Sequence, residues 1–151
     1  ELAPFISSLL EDVRAIGFEH VIFGLMNENL TCRRGRLAAG ESVDDVIERF
    51  QFPVDGAEGP MRAALQRKED VFVDRARDAR YDTSALVTAF QPGAFALLPI
   101  IVDGKVAGCL YADLPRAPSA FDAIRPPLSR TRDVITAAIS KKAPPSSASR
   151  A

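Results

Sequence analysis

Cysteine, histidine and net charge are all scarce in this chain. Cys32 and Cys109 are the only cysteines among 151 residues, and their surroundings offer no metal-ligand spacing. A disulfide-stapled secreted domain is not indicated, because 47% apolar residues can build a core without one. A bond between the two is left open by the spacing, but both read as reduced thiols in strand or core positions, as suits a cytoplasmic domain. His20 is the sole histidine. Without a Ser-His-Asp order or a glycine-framed nucleophile around it, hydrolase chemistry has no support, and His20 reads as the start of a strand. Nineteen basic residues against twenty acidic ones leave a formal charge of −1, so no summed field draws the chain to nucleic acid or an anionic membrane. No apolar run approaches the ~20 residues of a membrane-spanning helix, and residues 1–4 lack the basic-then-apolar order of a signal peptide. The chain starts at Glu1 without methionine, and the expectation is a piece of a longer protein whose output domain lies elsewhere.

The apolar residues that are present fall into clear periods. Leu2, Ile6, Leu9, Val13 and Ile16 trace one face of a helix that Gly17 stops. Residues 20–26 are a nearly continuous apolar run, which predicts a strand covered on both faces. After a turn at 27–29, residues 32–39 alternate as a second strand, paired with the first and closed by Gly40. Val43, Val46, Ile47 and Phe50 predict a short helix over 42–50, with Ser42 and Asp45 placed as a cap. Residues 52–54 are extended, and Pro53 confines them to a sheet edge. A helix is expected over 60–68 with proline in its first turn, a short strand over 71–73, and a helical turn over 84–90 that Gly93 follows. Asp103-Gly104 joins strands 95–102 and 105–114 in a tight hairpin, the sharpest local signal in the chain. A last helical region over 119–142 carries Leu128, Val134, Ile135, Ala138 and Ile139 on its apolar face, with Pro126-Pro127 kinking or restarting it. Residues 143–151 are Ala, Pro and Ser with one Arg, a composition expected to be disordered, which leaves a single domain over 1–142.

Helix, hairpin, crossover with short helices, hairpin and final helix imply an α+β fold. The expected core is a central antiparallel sheet of about five to six strands with flanking helices, of the kind seen in GAF and PAS domains. The run from Leu98-Pro99-Ile100 through Asp103-Gly104 to Gly108-Cys109-Leu110-Tyr111-Ala112-Asp113 resembles the closing hairpin of a GAF domain. Phe50-Gln51-Phe52-Pro53-Val54, residues 61–66 and Asp70-Val71-Phe72-Val73-Asp74 follow that family's order of connecting elements. The chain is also similar to the GAF-like domains of bacterial HDOD signalling proteins. The resemblance implies a sensory, regulatory domain of a bacterial signal transduction protein and not an enzyme. An unidentified small molecule would bind one side of the sheet, and terminal helices would pass the change to the output domain. No NKFDE motif of cyclic-nucleotide-binding members is present, and neither cysteine precedes the histidine typical of bilin attachment.

Arg75, Arg77, Arg80 and Tyr81 fall within seven residues of the loop after the third short strand, where GAF pockets are walled. Guanidinium forks there could grip phosphate or carboxylate, and Tyr81 or Phe90 could stack on a planar ligand. The more ordinary outcome is a solvated loop in which the same arginines pair with Asp74, Asp78 and Asp82. Phe50, Phe52, Phe90 and Phe95 could line an apolar pocket or fill the core. Arg33, Arg34 and Arg36 form the one basic cluster, which suits the solvent face of a strand and carries no nucleic-acid expectation. Acidic pairs Glu11-Asp12 and Asp44-Asp45 read as solvating charge. Two other readings stay open. The terminal helices, through Ile6, Val13 and the stripe 128–139, could form a homodimer interface in a ligand-free interaction module. Thiol-dependent methionine sulfoxide reduction is the remote alternative, and it would require Cys109 to be reactive although it sits in an apolar run. No metal and no named cofactor is implied.

Overall fold

The first helix, α1 (Leu2–Ala15), forms because its apolar residues recur every three to four positions, and it buries Ile6, Leu10 and Val13. It ends where Gly17 takes φ 137°, a left-handed geometry that a side chain resists. The computed structural model describes residues 2–26, 31–39, 52–53, 59–118 and 121–142; over 31–39 and 52–53 it describes the backbone alone. The helix expected at 42–50 and the tail expected at 143–151 lie outside the described residues.

Strands β1 (His20–Met26), β2 (Thr31–Ala39), β3 (Phe52–Pro53), β4 (Val71–Asp74), β5 (Ala94–Val102) and β6 (Lys105–Leu114) form one six-stranded sheet. The order is β3-β2-β1-β6-β5-β4, and every pairing is antiparallel. Pro53 sits on the edge strand, where its missing N–H interrupts no inner ladder. The β5–β6 turn places Asp103 at φ 54° and Gly104 at φ 77°, the two positive angles that an Asp-Gly hairpin supplies. Helices α2 (Pro60–Leu65) and α3 (Ala85–Phe90) cross between strands, and α4 (Arg125–Lys142) follows a 3-10 turn at Phe121–Ile124. Pro126 and Pro127 therefore occupy the first turn of α4 and start it without a kink, because those N–H groups have no helical acceptor.

Alternation along the inner strands divides the core in two. Ile22, Phe95, Leu97, Cys109 and Tyr111 point to the layer under α2 and α3 with Met61, Leu65, Leu86, Val87 and Phe90. Val21, Phe23, Ala96, Leu98, Ile100, Leu110 and Ala112 face α1 and α4, meeting Ile6, Leu10, Val13, Leu128 and Ile135. Each fully buried aliphatic side chain of this kind stabilises the fold by about 1.5–3 kcal/mol. The stripe that the dimer alternative would turn toward a second subunit instead faces inward: Ile6, Val13, Leu128 and Ile135 are core residues of their own domain. An amphipathic stripe says that a face is buried, and here the sheet buries it. The large apolar side chains left exposed on the terminal helices are Phe5 on α1 and Val134 on α4, with Ile16 just beyond α1.

Strand order also settles the two cysteines. Cys32 on β2 lies opposite Met26, and Cys109 on β6 lies opposite Gly24, with β1 between them. Two interstrand spacings of about 4.8 Å put them further apart than the ~7 Å that a disulfide can span. Cys109 is fully buried.

Candidate functional site

Strand phase brings one polar group into the apolar layer under α2 and α3. Cys109, Tyr111 and Asp113 alternate onto that face of β6, and His20 and Ile22 onto the same face of β1. His20 is the register partner of Asp113 and Ile22 that of Tyr111. Asp113, 1% exposed, is the only buried charged residue among those described. Its Oδ1 accepts the His20 backbone N–H at 2.9 Å, and its Oδ2 accepts the Tyr111 hydroxyl at 2.7 Å. Both oxygens stand 3.1 Å from Nδ1 of the His20 imidazole. A carboxylate only accepts, so Nδ1 is the donor and Asp113 fixes the tautomer and tilt of the ring. Among the described residues no buried side-chain polar atom lacks a partner. Glu19, His20 and Asp113 could also offer one cation-ligating atom each within 4.8 Å, but the three donors on Asp113 make this a hydrogen-bonded network first.

Aromatic rings enclose the network. Phe90 lies 5.8 Å from His20 and 5.3 Å from Tyr111 between ring centroids, and Phe95 lies 6.2 Å from Tyr111. These are ordinary tilted contacts, worth about 0.5–1.5 kcal/mol each beyond burial. Ser84 caps α3 by accepting the Val87 N–H at 3.3 Å and so sets where Phe90 falls. Tyr81 packs against the same layer from the β4–α3 loop, with the Arg80 guanidinium 4.9 Å from its ring centroid.

The residues singled out by sequence are split by the fold. Tyr81, Phe90 and Phe95 converge on this layer with Arg80 at its rim. Phe52 is described only through its backbone pairing with Cys32, and Phe50 lies outside the described residues. Arg75 is turned away, donating to Asp82 at 3.0 Å and to the Pro92 carbonyl at 2.6 Å. Arg77 is 88% exposed, and its Nε stands 3.8 Å from Asp74. Arg80 donates three bonds of 2.8–3.1 Å to Asp78. The pairing of these arginines with Asp74, Asp78 and Asp82 is thus the arrangement found. His20, Tyr111 and Asp113 were missed as a set, because 93 residues separate the two members that bond most closely.

Hydrogen bonds from Arg80 hold the Asp78 carboxyl below its ordinary range. A depressed carboxylate contributes stability above its unfolded value and loses it as pH falls through the folded one. Asp78→Asn is expected to lower stability by less than about 1 kcal/mol at neutral pH, since the pair is solvated. In urea titrations the gap between parent and variant should narrow as pH falls into the acid range.

Arg77 also lines an open cleft of about 650 Å³, with Asp74, Ala76, Ala117, Pro118, Phe121 and Asp122. It lies between the loops that leave β4 and β6. Nearby, Gly93 lets the segment before β5 approach the loop that leaves β6: a Cβ there would fall 2.2 Å from the Pro115 carbonyl oxygen.

A family model described as GAF domain matches residues 2–125. No curated protein matches the chain in sequence. Among solved structures, the chain is similar to the phycoerythrobilin-bound GAF domain of a cyanobacterial phytochrome, with 16% identity and a TM-score of 0.74 over 93% of this chain and 86% of that one. It is similar to a methyl-accepting chemotaxis protein fragment, residues 122 to 287, at 16% identity and a TM-score of 0.70, covering 93% and 90%. It is also similar to the type II free methionine-R-sulfoxide reductase of Thermoplasma acidophilum, at 14% identity and a TM-score of 0.63, covering 94% and 96%. That last likeness overturns the expectation that the domain is not an enzyme: the fold it shares also carries a reductase, so the architecture excludes no catalysis. Among the described residues, no helix is long and apolar enough to cross a membrane. The α+β architecture, the antiparallel sheet flanked by helices and the family match over residues 2–125 give one conclusion: the chain belongs to the GAF domain family.

Proposed function

We propose that this GAF domain is the sensory, regulatory part of a bacterial signalling protein and binds a small molecule on the α2/α3 side of its sheet. The observation that supports this reading most is the Asp113–His20–Tyr111 network inside an otherwise apolar layer. A few fixed polar groups among aromatic walls are what orient a ligand. His20, whose side chain is 14% exposed, is the polar member nearest solvent, and Asp113 holds it in one tautomer. Phe90, Phe95 and Tyr81 supply stacking surface, and Arg80 over Tyr81 supplies charge at the rim. Arg75 and Arg77 act on the loop: Arg75 ties it to Pro92, and Arg77 faces the neighbouring cleft.

Terminal helices relay the change, since α4 spans the opposite face and reaches back around the sheet. Arg132 on α4 donates to both oxygens of Asp70, at 2.9 and 3.2 Å, and to the Pro99 carbonyl at 3.0 Å. It thereby joins the output helix to the turn that precedes β4. A cytoplasmic setting agrees with strand positions that keep Cys32 and Cys109 too far apart to bond to each other.

Thermal unfolding against nucleotides, organic acids and aromatic metabolites tests the proposal. A ligand of the folded state stabilises it by about 2.7 kcal/mol at one hundred times its dissociation constant. His20→Ala and Tyr81→Ala should each remove the shift; a panel without any saturable shift would count against ligand sensing. The second reading, a dimerisation module, rests on Phe5, Ile16 and Val134. Phe5→Glu should then halve the mass seen in light scattering, and an unchanged mass would end that reading.

A further inference from the structure

The cleft between the two strand-exit loops is lined by charges of both signs, and none of its lining residues belongs to the network just described. Asp74 closes β4 and is only 15% exposed. Its Oδ1 accepts the Ala76 N–H at 3.0 Å, while its Oδ2 has the Arg77 Nε at 3.8 Å, too far for a hydrogen bond. A shielded carboxylate oxygen with only a long ion pair keeps accepting capacity, and among the described residues no hydrogen bond holds the Arg77 guanidinium. Across the cleft, Asp122 is oriented by Arg125, whose Nε donates to it at 3.2 Å. Arg125 is itself fixed, its guanidinium lying 4.4 Å from the centroid of the Phe72 ring. Phe121 packs against the α1/α4 core, so the apolar part of the wall is anchored too.

We propose that this cleft is a second ligand site, for a small zwitterion with an ammonium group next to a carboxylate, of the size of a free α-amino acid. A single-sign ligand leaves one of these groups unused. An ammonium group matches Asp74 Oδ2 and Asp122, a carboxylate matches the guanidinium fork of Arg77, and the side chain lies on Phe121 and Pro118. The volume of about 650 Å³ is in the range of small-molecule sites.

Isothermal titration with the twenty standard amino acids at millimolar concentration tests this directly. At least one should bind saturably, and its N-acetyl and decarboxylated forms should bind about tenfold more weakly or worse, each having lost a charge-assisted bond. Asp74→Asn and Arg77→Gln should each cost a similar factor, with unchanged circular dichroism and urea midpoint within the effect of a surface substitution. His20→Ala and Tyr81→Ala should leave this binding intact, which separates it from ligand sensing on the α2/α3 side. No binding by any amino acid, equal binding by the decarboxylated amine, or binding indifferent to Asp74→Asn and Arg77→Gln would each overturn the proposal.

Discussion

Replacing Asp113 with alanine is expected to destabilise the domain by about 3–5 kcal/mol in urea denaturation at neutral pH. The carboxylate accepts from the His20 backbone, the His20 imidazole and the Tyr111 hydroxyl, and Tyr111 is fully buried. Each buried donor left without an acceptor costs about 1–3 kcal/mol, more than the bond itself contributes when present. Removing one member of a buried polar set is therefore worse than never having built it. Asp113→Asn keeps an acceptor oxygen and should lose about half as much. Tyr111→Phe removes a donor together with its need and should cost only about 1 kcal/mol. An alanine variant within about 1 kcal/mol of the parent would show that the three bonds do not hold this face together.

Gly108→Ala should rank next, with a loss of about 3 kcal/mol and a lowered thermal midpoint. Gly108 on β6 lies opposite Leu25 of β1, and a Cβ placed on it would fall 2.1 Å from the Gly24 carbonyl oxygen. Both partners are backbone in the middle of a six-stranded sheet, so neither can rotate away as a flexible side chain would. The strands must part locally, and Cys109 and Leu110 next to the insertion are fully buried on opposite faces. β1 already shifts register against β2 on either side of Gly24, which leaves little slack. A variant as stable as the parent would mean that the strands separate here at no cost.

Much of the architecture was legible because it is local. Asp103-Gly104 announces its hairpin with two residues, and the periods of α1 and β5 follow from single windows of sequence. The ion pairs of the β4–α3 loop join residues two to seven apart, so the alternative that Arg75, Arg77 and Arg80 pair with Asp74, Asp78 and Asp82 could be read directly. Boundaries decided by tertiary contacts were not legible. The second helix was expected to reach Lys68, since Gln66, Arg67 and Lys68 all favour helix; it stops at Leu65. Lys68 instead takes φ 59° and donates its ammonium to the Gly104 carbonyl at 2.8 Å, a partner 36 residues away. Two expectations needed correction, neither decidable from a local window of sequence. A helical stripe does not say whether a sheet or a second subunit covers it, which misdirected Ile6 and Val13 outward. Family-level function was inferred from a fold that sensors and a reductase both use, so the exclusion of enzymes exceeded what the residues could support. His20 and Asp113 could have been joined only by knowing that β1 and β6 are neighbours, after which their shared phase puts both on one face.

The central claim is that the α2/α3 side of the sheet, built around His20, Asp113 and Tyr111, is where this domain meets a small ligand. Two-dimensional NMR of the isotopically labelled domain, titrated with a compound that raises its thermal midpoint and that binds equally well when Arg77 is changed to Gln, tests it most directly. Saturable shifts should centre on the His20 ring and on Tyr81, Phe90 and Tyr111, with weaker changes at Asp70 and Arg132 where the sheet meets α4. Shifts confined to α1 and α4, with His20 and Tyr111 unmoved, would contradict it.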